Sequence, residues 1–191
     1  VIDYIGDISK NDAEVLAMLA SGQRDILEFG VGASTQVLAH YRQVPGRLVS
    51  VETDWQWVEK TRRNLGRLVI SPPEFLLYTD LDKCLNHEAK FDLIFDDGVD
   101  GLRREFAERT WPFLKVGGIF AFHDTRRTGD VLNVCALLAA VSAEVEVVHF
   151  NLRHSNITTI LKKQAEHYED WNILEGREPW RQGWGEPPQE V

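Results

Sequence analysis

The stretch ILEFGVGAST, residues 26–35, decides how the rest of the chain reads. Ile26, Leu27, Glu28 and Phe29 form a strand-like run that passes straight into Gly30 and Gly32, where the missing Cβ atoms let the backbone turn sharply and approach a ligand closely. Ser34 and Thr35 are expected to cap a helix over about 36–41. A strand, a glycine turn and a helix start in succession make a site for a nucleotide-like ligand. The spacing is G-x-G-x-x-T, with Thr35 where a dinucleotide fingerprint has its third glycine, which argues against a pyrophosphate. Glu28, just before the turn, would crowd phosphates but suits a cationic amino-acid tail.

Outward from this stretch, strand and helix patterns alternate. Ser9 or Asn11 caps a first helix, Asn11 and Glu14 form a box-like pair, Val15, Leu16 and Leu19 give it an apolar face, and Gly22 ends it. After the glycine turn come a strand over 47–52, a helix over about 54–65, a short strand over 75–78 behind Pro72-Pro73, and an irregular or short helical crossover over 81–90. FDLIFDDG, residues 91–98, is the fourth strand. A helix over about 102–114, a strand over 119–125 and a helix over about 130–141 follow. The last two strands, 144–150 and 157–162, are joined by only six residues, too few for a parallel crossover, so they form an antiparallel hairpin. The result is an α/β fold, a Rossmann-like doubly wound sheet of seven strands, mostly parallel with one reversed strand near its C-terminus.

Length and composition bound the function. With 191 residues and 43% hydrophobic residues the chain suits one α/β domain. Residues 1–163 are assigned to that domain and 164–191 to a tail. Net charge of −9 argues against nucleic acid or an anionic membrane as partner. Two cysteines, Cys84 and Cys135, with no leader-like or membrane-spanning run, lead to the expectation of a reducing, cytoplasmic setting. The tail carries seven acids against two bases, and with Tyr168, Trp171, Trp180 and Trp184 it is expected to pack on the domain or on a neighbouring subunit of a homo-oligomer.

In open α/β sheets ligands gather at the carboxyl ends of the strands. Acids recur there: Glu28 before the glycine turn, Glu52 ending the second strand, Asp80 after the third, Asp97 ending the fourth, and His123-Asp124 ending the fifth. Any one of them alone could be a helix cap or a solvated loop acid. Glu52 lies 20 residues beyond Gly32, the offset at which an acid accepts hydrogen bonds from both ribose hydroxyls. Alternation sends Asp96 and Asp97 to opposite sides, so only one faces the cleft. His123 is the best nitrogen base near the rim, since an unperturbed imidazole titrates near neutrality. His154 is a weaker candidate, and His40, His87, His149 and His167 have no supporting constellation.

The glycine turn resembles motif I of class I S-adenosylmethionine-dependent methyltransferases, and the resemblance extends over roughly residues 9–163. FDLIFDDGVDG is similar to motif IV of the small-molecule enzymes and places Asp97 at the motif acid. LKVGGIFAFHDT resembles the strand after L-x-P-G-G in catechol-type O-methyltransferases, with Val116 replacing proline. The resemblance implies that Glu28, Gly30, Gly32, Ser34 and Thr35 hold the methionine end of S-adenosylmethionine, Glu52 and Thr53 the ribose, Asp80 and Leu81 the adenine, and Asp97 the amino-acid portion or a metal. Asp97, His123 and Asp124 would carry catalysis. Asp97 and Asp124 would be the ligands if Mg²⁺ is used, although Thr125 stands where that pattern has asparagine and Asp100 where many relatives have a histidine or lysine. The activity implied is methyl transfer to an oxygen, less readily a nitrogen, of a small-molecule acceptor. Arg103, Arg104, Arg126 and Arg127 leave room for an anionic one. Two other readings stay open: a catalytically silent methyltransferase-like binding or assembly subunit, and an NAD-dependent oxidoreductase.

Overall fold

The computed structural model describes residues 4–85 and 90–164. Seven strands, β1 (Ile26–Phe29), β2 (Leu48–Glu52), β3 (Glu74–Leu77), β4 (Phe91–Asp96), β5 (Leu114–Phe122), β6 (Val145–His149) and β7 (Thr158–Lys162), form one sheet in the order β3-β2-β1-β4-β5-β7-β6. Helices α1 (Lys10–Ala20), α2 (Ala33–Tyr41), α3 (Trp55–Arg67), α4 (Asp100–Thr110) and α5 (Thr128–Val141) alternate with the strands. The strands from β3 to β5 pair in parallel, and β7 runs antiparallel to both β5 and β6, as the short hairpin link requires. The tail with its tryptophans, together with His87 and His167, lies outside the described residues. Among the described residues no helix is long and apolar enough to cross a membrane.

Several boundaries differ from the sequence reading for local reasons. Helix α2 begins at Ala33 rather than near Gln36: Gly32 is its cap, and Thr35 in the first turn reaches back to accept the Gly32 N–H at 2.9 Å. Ser34 and Thr35 are therefore inside the helix. In α1 the cap is Ser9, which accepts the Asp12 N–H, while Asn11 and Glu14 turn to Arg153 and Lys10 instead of to each other.

Strand alternation divides the core between the two faces of the sheet. Leu27, Phe29, Val51, Ile94, Phe120 and Phe122 pack with α4 and α5 through Phe106, Val134 and Leu137. Ile26, Leu48, Leu93, Phe95 and Ala121 pack with α1, α2 and α3 through Leu16, Leu38 and Leu65. Each fully buried Leu or Phe side chain contributes about 1.5–3 kcal/mol. Phe29 is wholly buried, with the rings of Tyr78 and Phe106 each 4.9 Å away.

Two features set the position of the strand ends. Gly30 has φ of 89°, and a Cβ there would lie 2.2 Å from the carbonyl oxygen of Asp97; a Cβ at Gly98 would lie 2.2 Å from the Phe29 ring. The turns after β1 and β4 thus touch backbone to backbone, with no space for a side chain. Glu28, which shares the α1–α3 side of β1 with Ile26, is completely buried and accepts hydrogen bonds from Ser34 Oγ at 2.7 Å and Ser50 Oγ at 2.6 Å. Burial pushes its carboxyl up from 4.5 to about 7, against the two serine hydrogen bonds, which favour ionisation.

Gly30→Ala must therefore both adopt a left-handed conformation and overlap Asp97, and is expected to cost more than about 3 kcal/mol in urea denaturation. Gly101→Ala, in α4 with open space at its Cβ, should gain about 0.5–1 kcal/mol in the same measurement. A folded-state pKa of about 7 against 4.5 means that Glu28 favours the fold most below pH 4.5 and loses that contribution as pH rises to about 7. Stability followed from pH 4.5 to 8 should fall by on the order of 3 kcal/mol through this residue, and Glu28→Gln should flatten the slope.

Candidate active site

A cavity of about 500 Å³, a size that suits a small organic ligand, opens at the carboxyl ends of β1, β2 and β4. Its floor is residues 30–34, one wall is 52–54 with the α3 side chains Trp57, Lys60, Thr61 and Asn64, and another is 97–99. Residues 5–7 also line it. Gln36, buried on α2, holds this first segment by a pair of hydrogen bonds to Ile5: its Nε2 donates to the Ile5 carbonyl at 2.7 Å and its Oε1 accepts the Ile5 N–H at 2.9 Å.

Glu52 joins two parts of the wall. Its Oε2 accepts the Val31 N–H at 2.9 Å, holding the glycine turn, and its Oε1 accepts the N–H groups of Thr53 at 2.6 Å and Asp54 at 3.2 Å. Gly32 adds no obstruction, since a Cβ there would meet nothing within 4 Å. Trp57, Lys60, Thr61 and Asn64 were not anticipated from sequence. Their i, i+3, i+4, i+7 spacing is nevertheless a helical stripe, polar where a core-facing stripe would be apolar, and begins five residues after Glu52. The Lys60 ammonium lies 4.1 Å from the centre of the Trp57 ring.

Asp97 is the link between this cavity and a charged rim. Asp96, as alternation requires, points the other way: it is completely buried, neither carboxylate oxygen has a hydrogen-bond partner among the described residues, and burial pushes its pKa well above the usual range. Asp97 Oδ1 accepts from Arg103 Nη2 at 3.1 Å and lies 3.0 Å from His123 Nδ1. His123 Nδ1 is also 3.5 Å from Asp124, and its Nε2 is 3.4 Å from Asp12, without the alignment of a hydrogen bond. Burial alone would lower the pKa of this ring. The hydrogen bond to Asp97 and the charges of Asp97, Asp124 and Asp12 outweigh it and raise the pKa to about 9. His123 is thus an imidazolium at neutral pH, not the neutral base expected from its ordinary value. Asp124 sits in the left-handed region with φ of 60°, a strained conformation of a kind that clusters at functional sites.

Asp97, His123 and Asp124 bring one ligand atom each to within 4.8 Å of the others. They do not fit Mg²⁺. Mg²⁺ needs oxygen ligands, and Asp97 Oδ1 is already shared by His123 and Arg103, while Asp124 Oδ2 lies 3.2 Å from Arg127 and 3.9 Å from Arg103. Thr125 supplies no third oxygen: it is buried, bonded to Asn151, Asn156 and Thr158.

Four other expectations find no counterpart at the cavity. Thr35 is wholly buried, with its hydroxyl on the Gly32 N–H. Glu28 is sealed beneath it by Ser34 and Ser50. Leu81 is wholly buried in the core, and Asp80 pairs with Lys83 at 2.8 Å, so neither lines the cavity. The four arginines all have internal partners: Arg103 in the rim, Arg104 with Glu108, Arg126 with the His154 carbonyl, and Arg127 with Asp100, Asp124 and Asp130.

No family model matches the sequence, and no curated protein matches it. Solved structures do match in fold. An O-methyltransferase of Streptomyces achromogenes involved in tomaymycin synthesis, in complex with S-adenosylmethionine, is 18% identical with a TM-score of 0.69 over 83% of this chain and 82% of that one. The O-methyltransferase of Bacillus cereus with S-adenosylhomocysteine is 21% identical, TM-score 0.66, over 83% and 84%. A methyltransferase-like protein of Silicibacter pomeroyi is 17% identical, TM-score 0.58, over 90% and 96%. The chain has the seven-stranded Rossmann-like fold that these methyltransferases share.

Proposed function

We propose that this protein transfers the methyl group of S-adenosylmethionine to an oxygen, in preference to a nitrogen, of a small-molecule acceptor. The observation that carries this reading is Glu52, a carboxylate lining the cavity and hydrogen-bonded to the glycine turn beside it. That juxtaposition offers acceptors for ribose hydroxyls next to a backbone that a ligand can approach without meeting a side chain. The fold neighbours crystallised with S-adenosylmethionine or S-adenosylhomocysteine support it.

S-adenosylmethionine brings an already activated methyl group, so the protein has chiefly to align the reacting atoms and exclude water. Glu52 and Thr53 take the ribose, and Gly30, Gly32 and Ser34 present backbone to the methionine end. Asp97, with Oδ1 held by Arg103 and His123, keeps Oδ2 for the cofactor ammonium or the acceptor. Glu28 acts from below, through Ser34, and Asp80 and Leu81 are left outside the site. At the rim, Asp97 and Asp124 are the proton acceptors. The charged His123 stabilises negative charge developing on the acceptor oxygen. Five carboxylates, Asp12, Asp97, Asp100, Asp124 and Asp130, face three cations there, Arg103, Arg127 and His123, which favours a neutral hydroxyl over an anionic acceptor.

Calorimetry with S-adenosylhomocysteine tests the cofactor. Glu52→Ala should weaken binding by about 1.5–3 kcal/mol, the scale of lost charge-assisted hydrogen bonds. Gly32→Val should keep its fold by circular dichroism yet lose binding, because its side chain projects into open cavity. Tight binding of NAD in place of S-adenosylhomocysteine would overturn the reading, and a folded, cofactor-binding chain inactive across an acceptor panel would favour the silent subunit. Since the His123 ring keeps its charge up to about pH 9, methyl transfer should be undiminished from pH 7 to 8 and decline above about 9.

A further inference from the structure

Among the described residues Arg103 is the most heavily hydrogen-bonded cation, and it sits where two strand ends and two helices converge. It is 3% exposed. Its Nε donates to the Gly98 carbonyl at 2.7 Å, and its Nη1 donates to the His123 carbonyl at 3.1 Å and to Asp130 Oδ1 at 3.0 Å. Its Nη2 donates to Asp97 Oδ1 at 3.1 Å and lies 3.9 Å from Asp124 Oδ2. The guanidinium is therefore interposed between the same two carboxylates that a divalent ion would have to bridge. Arg127 closes the outer side, with its Nη2 3.2 Å from the same Asp124 Oδ2 and its Nε 2.6 Å from Asp130 Oδ2.

A guanidinium keeps its charge at every working pH and offers five donors in a fixed plane. Bonded to two carbonyls and to the carboxylates of Asp97 and Asp130, it cannot withdraw to admit an ion without leaving Asp130 Oδ1 and the Gly98 and His123 carbonyl oxygens short of a donor. We propose that Arg103 is a built-in counter-ion standing in place of a divalent metal. It is a positioning residue: it holds Asp97 and Asp124 in register from within and excludes a cation, so that the rim works without one. The consequence for catalysis rests on the methyl-transfer reading, whereas the exclusion of metal does not.

Electron paramagnetic resonance of Mn²⁺ titrated into the full chain is the test, because it reads metal directly and needs no turnover. Wild-type protein should leave the free Mn²⁺ signal unchanged at millimolar metal, and after chelator treatment its affinity for S-adenosylhomocysteine, measured on the same sample, should be unaltered. Arg103→Gln, shown to be folded by circular dichroism, should gain one Mn²⁺ site that is lost again in Arg103→Gln/Asp97→Asn. Arg103→Lys, which restores a cation, should exclude the metal as wild type does. Stoichiometric Mn²⁺ binding by wild type, abolished by Asp97→Asn or Asp124→Asn, would overturn the proposal, and this holds whether or not the Arg103 variants fold. Folded Arg103→Gln that gains no site would overturn the exclusion by Arg103. Failure of S-adenosylhomocysteine to bind, with Mn²⁺ still excluded, would count against the cofactor reading alone.

Discussion

The contact on which the site depends is the approach of Gly30 to the backbone of Asp97 and Gly98, with the Phe29 ring closing from behind. Each glycine gives up a side chain so that the turns after β1 and β4 can share one space. This fixes the ends of the two central strands, and everything chemical follows from their relative height. The turn after β1 becomes a cavity floor, and Asp97 emerges at its edge. The next residues of the same loop lead into α4, which carries Arg103 back beneath the rim. Hydrophobic burial on both faces of the sheet supplies the stability, while these two glycines supply the geometry.

How far the sequence disclosed this arrangement depends on the kind of signal. The seven strands, the mostly parallel sheet and the antiparallel terminal hairpin were legible because side-chain period, glycine turns and a six-residue link are local facts with few topological solutions. Alternation also placed Asp97 and Asp96 correctly on opposite sides. Glu28 was misjudged because nearness to a strand end says nothing about depth. Its register partner on β2 is Ser50, a lone hydroxyl in the otherwise apolar run LVSV, and that was the readable sign of an internal polar niche. His123 was recognised, but not its charge, which comes from carboxylates on three separate elements. Leu81 falls in a 3-10 turn and is drawn into the core by its apolar side chain. The first segment, residues 5–7, carries no motif; it is held at the cavity through the side-chain amides of Gln36 and Asn64.

Charge organises the rim differently from the cavity. The cavity walls are mostly backbone and half-exposed polar groups, open to exchange with a ligand. The rim is a closed lattice in which each ion answers another, and burial of Asp96 beneath it raises its pKa by disfavouring the charged form. Rigid charge beside an adaptable cleft suits a reaction in which the cofactor must come and go while the groups that meet the acceptor stay fixed.

Asp12 gives this lattice an unexpected reach along the chain. From the first helix it accepts the backbone N–H of Asn156 at 2.7 Å and its side-chain amide at 3.1 Å, across 144 positions, and stands against His123. Helix α1 is thereby stitched to the loop before β7 beside the site. During synthesis Asp12 therefore lacks these two donors until residue 156 has been made, although every other ion of the rim precedes it by 26 residues or more. Opening of the terminal hairpin would likewise strip Asp12 of both Asn156 donors, while His123 keeps its bond to Asp97, so that the edge of the rim next to α1 is the first to loosen.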